Sequence, residues 1–193
     1  MLVDYLIVSK NQLYFIFFSH SGDPIDQVKW RSKQNLDYAF LMRYAQSKGK
    51  FYVQLEDDVI TKPNFIATMR SFAVNQTRDG KPWFLINFCK LGFIGKMFKA
   101  ADLPILIQYL IMFYNDRPCD WLLDLFLKTK ACSNLCQTQC SKEKEAIEIN
   151  YTPSLFQHMG TYSSRKGNNN GTKGMYNRLP LIMSYLLDID LAL

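Results

Sequence analysis

Apolar residues recur with regular spacing over the first part of the chain. Between Ser32 and Gln46 they return every three to four residues, which predicts a helix, and Gly49 follows where a helix C-cap is expected. The mostly apolar segment Phe51–Leu55 then predicts a buried strand. Pro63 predicts the start of a second helix, because the missing N–H of proline costs nothing in a first helical turn.

Strands and helices continue to alternate further along. Trp83–Phe88 and Ala146–Tyr151 predict strands, and between them helices are expected after the capping residue Asp102 and from Pro118 to about Lys130. This alternation predicts an α/β fold with a largely parallel sheet, in which ligands bind at the carboxyl ends of the strands. Beyond Arg165 the segment KGNNNGTKG predicts loop or disorder before a final apolar run.

Composition and charge exclude several classes of protein. With 193 residues, 48% of them hydrophobic, the chain can form a packed core. Its net charge of +6 comes from scattered Lys and Arg, which argues against nucleic-acid binding. The apolar stretch Leu103–Tyr114 has 12 residues, too few for the roughly 20 that cross a bilayer. The N-terminal apolar stretch is interrupted by polar residues, so neither a signal peptide nor a membrane anchor is expected.

The cysteine spacing fits no standard zinc or iron–sulfur site, which leaves a local disulfide or free thiols. The five cysteines are Cys89, Cys119, Cys132, Cys136 and Cys140. Three N-glycosylation triplets begin at Asn75, Asn150 and Asn170 and would suit a secretory lumen, although such triplets often arise by chance.

Three consecutive carboxylates, Glu56, Asp57 and Asp58, follow the first predicted strand directly. Adjacent like charges repel, so a positive partner is expected nearby. A divalent cation such as Mg²⁺ or Mn²⁺ would supply it, because both ions take carboxylate ligands and keep positions open for a phosphate. The alternative is a solvated turn whose acids pair with Lys or Arg.

Four segments together resemble one enzyme family: GDPIDQVKWRSKQNLDYAFLMRYAQSKGKFYVQLEDDVITKPNF, LGFIGKMFKAADLP, MFYNDRPCDWLLDLFL and PSLFQHMGTYSS, spread from about Gly22 to Arg165. They are similar to the N-acetylglucosaminyltransferase IV family, the alpha-1,3-mannosyl-glycoprotein 4-beta-N-acetylglucosaminyltransferases. The resemblance implies a GT-A type, Rossmann-like domain in a Golgi setting. It also implies a divalent metal, most suitably Mn²⁺, and inverting transfer of GlcNAc from UDP-GlcNAc to a mannose arm of an N-glycan.

The resemblance also implies roles for the acidic residues. Asp58 would bind the metal, while Glu56 and Asp57 would face the ribose or the sugar. An inverting displacement needs a general base, and Asp120 and Asp124 lie one helical turn apart on one face. Asp120 is the preferred base, and its alternative role is that of an acid favoured by the helix dipole.

Four further residues are assigned to the site. His158 would complete the metal or diphosphate site, or alternatively would be a satisfied core histidine. Gly92 and Gly95 would let backbone approach the sugar, and Lys96 would meet a phosphate, unless this segment is a plain turn between strand and helix.

The chain also departs from the family. The resemblance divides it into an unmatched segment 1–21, a partial GT-A domain 22–165 that lacks the N-terminal strands for uridine, and a divergent, partly flexible tail 166–193. Asn87 stands where the family has a glutamate. Cys132 and Cys140 fall close to a family cysteine pair, which implies a disulfide between them. The chain is therefore expected to be a shortened or divergent member.

Three functional interpretations follow from this. The first is an active enzyme with an N-glycan or glycoprotein acceptor. The second is an inactive member that binds and regulates other Golgi glycosyltransferases. The third is a truncated product with no stable fold.

Overall fold

The computed structural model describes the backbone of residues 7–9, 12–14, 22–132, 137–159 and 183–187, and the side chains of residues 22–132 and 139–159. The helices are α1 (Ile25–Ala45), α2 (Phe65–Arg78), α3 (Leu103–Met112), α4 (Cys119–Ala131) and α5 (Gln137–Ile147). The strands are β1 (Ile7–Ser9), β2 (Gln12–Tyr14), β3 (Phe51–Leu55), β4 (Val59–Thr61), β5 (Leu85–Asn87), β6 (Lys96–Lys99), β7 (Glu148–Asn150), β8 (Phe156–His158) and β9 (Met183–Leu187).

The central sheet has five strands in the order β7-β5-β6-β3-β9. Only β5 and β7 pair in parallel, while β6 runs antiparallel to both β5 and β3, and β9 runs antiparallel to β3. The α/β class is confirmed, but the expected largely parallel sheet is wrong. Two small two-stranded sheets, the β1-β2 hairpin and the antiparallel pair of the distant strands β4 and β8, complete the pairing among the described residues.

The error in strand direction comes from β6, which the sequence presents as part of a loop. Gly92 and Gly95 have φ values of +46° and +62°, so the chain reverses immediately after β5 and returns as β6. A Cβ on Gly95 would lie 2.7 Å from the ring of Phe156. Gly95 is therefore required by packing as well as by backbone conformation.

Helices cover both faces of the sheet. Tyr52, Leu85 and Phe98 belong to a core cluster with α1, α3 and α4 on one face. The neighbouring residues Val53, Ile86 and Met97 belong to a second cluster, with α2, on the other face. Because side chains alternate along a strand, each short strand contributes to both cores.

Several predicted boundaries shift. The first helix begins at Ile25 rather than Ser32, and the predicted strand Ala146–Tyr151 is limited to β7 because α5 continues through Ile147. Both α3 and α4 agree closely with expectation. The divergent tail and the triplet at Asn170 lie outside the described residues, apart from the backbone of β9.

The Cys132–Cys140 disulfide is present and joins the residue after α4 to α5. Cys89 and Cys119 are free and buried, and Cys136 lies outside the described residues. None of the helices in the described part of the chain combines the length and the apolarity needed to span a membrane.

Candidate active site

The ends of four strands meet at one edge of the sheet. The registers place Gln54, near the end of β3, and Asn87, the last residue of β5, beside Lys96, the first residue of β6. Asn87 also pairs with Asn150, the last residue of β7. The three carboxylates follow β3 at this edge, and the two-glycine turn follows β5. Although the sheet is mixed, the three carboxylates lie at the carboxyl end of β3, where the sequence places them, whereas Lys96 lies at the amino end of β6.

Glu56, Asp58 and His158 form a compact group at this edge. One ligand atom from each lies within 4.8 Å of the others. The imidazole Nε2 of His158 is 3.0 Å from Asp58 Oδ2 and 3.9 Å from Glu56 Oε2. The antiparallel pairing of β4 with β8 produces this approach, because Val59 pairs with His158 and the N–H of Met159 donates to the Asp58 carbonyl. These three residues are called the acidic triad below.

Two features of the triad bear on ligand binding. Asp58 Oδ1 is buried and has no hydrogen-bond partner among the described residues. Burial and the neighbouring Asp58 carboxylate raise the pKa of Glu56, although His158 and the backbone of Phe93 act in the opposite direction. Both observations indicate negative charge that is incompletely compensated. His158 is exposed, so it is not the core histidine of the alternative interpretation.

Asp57, between the two triad carboxylates, is exposed to solvent. Gly92 lies close to the triad, since a Cβ on it would be 3.4 Å from Glu56 Oε1. The glycine therefore brings its backbone to the carboxylate, and it also lines the cleft described next.

A cleft of about 510 Å³ opens between the sheet edge and helices α4 and α5. Its lining residues are Leu85, Asn87, Lys90, Gly92, Lys96, Asp120, Leu123, Asp124, Leu127, Lys144, Glu145, Glu148 and Asn150. This surface is called the sheet-edge cleft below. It unites Gly92, Lys96, Asp120 and Asp124, all of which were candidates from the sequence.

Asp120 lies in the first turn of α4, where an acid is favoured by the helix dipole, and it is exposed at the cleft. Its Oδ1 accepts a hydrogen bond from the N–H of Trp121 at 3.0 Å. Because Asp120 faces the cleft, its second carboxylate oxygen, Oδ2, can contact a ligand there. The capping and site interpretations of Asp120 are therefore compatible.

Asp124 also lines the cleft, as its spacing from Asp120 predicts, but its surroundings differ. Lys128 and Lys144 lie 2.6 Å and 3.1 Å from its carboxylate oxygens. Partial burial works against ionisation of Asp124, yet the hydrogen bonds from these two lysines hold its pKa below the usual range. A carboxylate stabilised in this way is a weaker base than an aspartate without ion pairs.

Lys96 is buried at the start of β6, and its Nζ donates to the carbonyl of Cys89 at 2.7 Å. Burial lowers the pKa of this lysine, while Glu148, Asp120 and Glu56 are among the groups that favour its charged form. Lys96 thus places a positive charge near the carboxylates of the cleft.

Two residues of α1 were not recognised as relevant from the sequence. The buried Arg31 donates from Nε to the carbonyl of Asn115 at 2.7 Å and pairs with Asp23. The fully buried Asn35 donates from Nδ2 to the carbonyls of Tyr114 and Arg117 at 2.7 and 2.8 Å. Together they hold the loop that leads into α4 and Asp120. The only signal of this role in the sequence is that two polar residues, Arg31 and Asn35, share the helix face on which apolar residues recur.

Comparison with known proteins identifies the family to which the chain belongs. The sequence profile described as "MGAT4 conserved region" matches residues 6–176. The chain is 48% identical over 166 residues, 83% of its length, to alpha-1,3-mannosyl-glycoprotein 4-beta-N-acetylglucosaminyltransferase B of Danio rerio. It is 52% identical to the B enzyme of Homo sapiens and 47% identical to the A enzyme of Bos taurus, in each case over 147 residues or 76% of its length.

These alignments cover 30%, 26% and 27% of the respective relatives, so the chain spans between a quarter and a third of their length. No solved structure matches the chain. The profile match covers most of the sequence, and identities of 47% to 52% over three quarters of the chain or more show common ancestry. This chain is a member of the MGAT4 conserved region family, to which the N-acetylglucosaminyltransferases of N-glycan branching belong.

Proposed function

We propose that the chain forms part of a GT-A type domain that transfers GlcNAc from UDP-GlcNAc to a mannose of an N-glycan with inversion. The observation that carries the proposal is the acidic triad at the carboxyl end of β3, next to a cleft that contains Asp120. The names of the relatives supply the reaction class, and the geometry supplies residues suited to it.

The triad fits a divalent metal. Two carboxylates and an imidazole form a mixed oxygen and nitrogen donor set, which suits Mn²⁺ better than Mg²⁺. The orphaned, buried Asp58 Oδ1 is the atom that a cation would satisfy. Asp58 and His158 would hold the ion, and the bound ion would stabilise the negative charge on the departing diphosphate.

The remaining chemistry belongs to the residues of the chain. In an inverting displacement the acceptor hydroxyl attacks the anomeric carbon opposite the UDP leaving group. Asp120 takes the proton of that hydroxyl, since its carboxylate faces the cleft and is not neutralised by a paired lysine among the described residues. Asp124 has the lower pKa of an ion-paired acid and acts instead on the shape and charge of the cleft.

The donor side is assigned to the residues around the triad. Glu56 and Asp57 face the ribose or the sugar, and the backbone at Gly92 approaches the same region without a side chain in the way. Gly95 is explained by its packing on Phe156 and contributes to the site by reversing the chain. The Nζ of Lys96 keeps two further donors for a diphosphate after its bond to the Cys89 carbonyl.

A glycoprotein acceptor and a Golgi location follow from the relatives and are part of this proposal. The Cys132–Cys140 disulfide is consistent with an oxidising lumen.

The second candidate is a non-catalytic member that binds other Golgi glycosyltransferases. It is favoured by large apolar side chains that are exposed on the outer helices: Phe40 is 75% exposed, Met112 70% and Trp121 58%. Exposed apolar surface of this kind suits a protein partner.

Calorimetric titration of UDP-GlcNAc into the purified chain, with and without Mn²⁺, separates the two candidates. If the chain is an enzyme, donor binding should depend on the metal and should be lost in Asp58→Ala. UDP release in the presence of a mannose-terminated N-glycan should then be lost in Asp120→Asn. A folded protein that binds no donor and instead co-purifies with a transferase of the pathway would support the second candidate.

A further inference from the structure

We infer that the wall of the sheet-edge cleft opposite Asp120 is the subsite for the acceptor sugar, and that Glu148 is its specificity-determining residue. The inference rests on the proposed transfer to an N-glycan mannose and adds where the acceptor lies and which side chains read its hydroxyl groups.

A continuous chain of hydrogen bonds and ion pairs lines this wall. Asn87 Nδ2 donates to Glu148 Oε1 at 2.7 Å and to Asn150 Oδ1 at 3.2 Å. The other oxygen of Glu148, Oε2, lies 2.5 Å from Lys144 Nζ, which also pairs with Asp124. Side chains from β5, β7, α5 and α4 are thereby fixed relative to one another, which is the preorganisation that a sugar subsite requires.

The fold alone does not account for the polar character of this wall. Asn87 is 5% exposed, and its Oδ1 is buried with no hydrogen-bond partner among the described residues. A buried polar group left without a partner costs stability, so an apolar residue would serve packing better at this position. Asn87 instead holds the carboxylate of Glu148 at the surface of the cleft, where Glu148 can accept from a ligand hydroxyl.

The charges of the cleft favour a neutral, hydroxyl-rich ligand over an anion. Three lysines and four acidic residues line the cleft, so a phosphate would meet net negative charge. The lysine nearest Glu148 is already engaged, because Lys144 pairs with both Asp124 and Glu148.

Size and apolar surface also fit a sugar. The cleft volume of about 510 Å³ lies within the range of about 300–1,000 Å³ that is typical of small-molecule sites. Leu85, Leu123 and Leu127 line it together with the polar groups. A pyranose ring has apolar C–H faces and hydroxyl edges, so it matches a wall that carries both kinds of surface.

The position of Asp120 connects the subsite to the reaction. Asp120 lies on the same helix face as Leu123, Asp124 and Leu127 and borders the same cleft. A sugar seated against Glu148 therefore presents a hydroxyl on the side where the proposed base can take its proton.

The test measures acceptor and donor binding separately. Ligand-observed NMR titration with a mannose-terminated N-glycan oligosaccharide, in the absence of donor, reports on the subsite alone, and calorimetry with UDP-GlcNAc and Mn²⁺ reports on the donor site. We expect Glu148→Gln to weaken oligosaccharide binding at least tenfold and to raise the acceptor KM, with donor affinity unchanged within twofold. Glu143→Gln is the matched control, because Glu143 lies in α5, the helix that leads into β7, is exposed and does not line the cleft.

A second variant distinguishes a blocked subsite from a misfolded protein. Glu145→Trp places a bulky ring at an exposed position of the cleft wall and should block the oligosaccharide without disturbing the core. Unchanged oligosaccharide affinity in both variants would overturn the inference, as would displacement of the oligosaccharide by inorganic phosphate at equal concentration. If wild type binds the oligosaccharide but not UDP-GlcNAc, the proposed transfer fails, and the Glu148→Gln and Glu145→Trp results still decide the subsite.

Discussion

Replacing Asp58 with asparagine should change the stability of the chain in opposite directions with and without metal. In the metal-free protein, Asp58 and Glu56 place carboxylate oxygens within 4.8 Å of each other. Asparagine removes one of the two charges while its side-chain oxygen can still accept from His158. The substitution therefore isolates charge from shape.

The magnitude follows from Coulomb's law. Two unit charges 4.8 Å apart, the largest separation that this geometry allows, repel by roughly 1 kcal/mol in water and by roughly 3.5 kcal/mol at an effective dielectric constant of about 20. The side chains of Glu56 and Asp58 are 28% and 34% exposed, so solvent screening favours the lower value. We expect metal-free Asp58→Asn to be more stable than wild type by about 1 kcal/mol or slightly less.

Bound metal should reverse the order of stability of wild type and Asp58→Asn. A ligand at 100 times its dissociation constant stabilises the folded state by about 2.7 kcal/mol. For a chain of this size that corresponds to an increase in Tm of about 5–10 °C. Wild type should show this shift with Mn²⁺, whereas Asp58→Asn should show almost none, because it loses the carboxylate that would hold the ion.

Thermal unfolding followed by circular dichroism, with EDTA or with Mn²⁺, measures both effects. Asp79→Asn is the control, since Asp79 is an exposed aspartate outside the triad. The reasoning is refuted if metal-free Asp58→Asn is clearly less stable than wild type, or if Asp79→Asn loses the Mn²⁺ shift to the same extent.

Three further predictions concern the base, the glycine turn and the disulfide. Asp120→Asn should lower kcat for UDP release by about 10²–10⁴ with donor affinity unchanged, because an amide cannot accept the proton; a loss below threefold would exclude Asp120 as the base. Gly95→Ala should cost about 2–4 kcal/mol in urea unfolding, since its Cβ would meet a ring at 2.7 Å, whereas Gly80→Ala, also at positive φ but with open space around it, should cost only about 1–2 kcal/mol. The double replacement of Cys132 and Cys140 by serine should cost about 2–3 kcal/mol, the entropy of closing a loop with a sequence separation of 8, and an unchanged Tm under oxidising conditions would contradict it.

The sequence predicted those elements whose periodicity is strong and local. The strand β3 and the helices α3 and α4 have continuous apolar patterns, so they appear close to where the pattern places them. The strand β6 could not be recognised in the same way. It has only four residues, two of which are the lysines at its ends, and its strand character comes from pairing with β3 and β5 on either side.

The sequence suggests the residues of the candidate site but not their arrangement. A row of carboxylates after a buried strand is visible in any sequence, and His158 stands out because histidine is rare in this chain. That His158 reaches Asp58 depends on the pairing of β4 with β8, in which both strands have three residues and little pattern of their own. The pairing of distant segments is a tertiary property, and local spacing carries no record of it.

The placement of Asp120 shows how a residue's function can depend on an element that looks unrelated to it. The loop before α4 exposes backbone carbonyls that need donors, and Arg31 and Asn35 supply them from inside α1. Because both donors are almost fully buried, their bonds compete little with water and keep the loop in one conformation. The position of Asp120 relative to the triad is therefore set by α1 packing on the sheet as much as by α4. A polar residue at a predicted core position of a helix is thus a signal to examine which loop it holds.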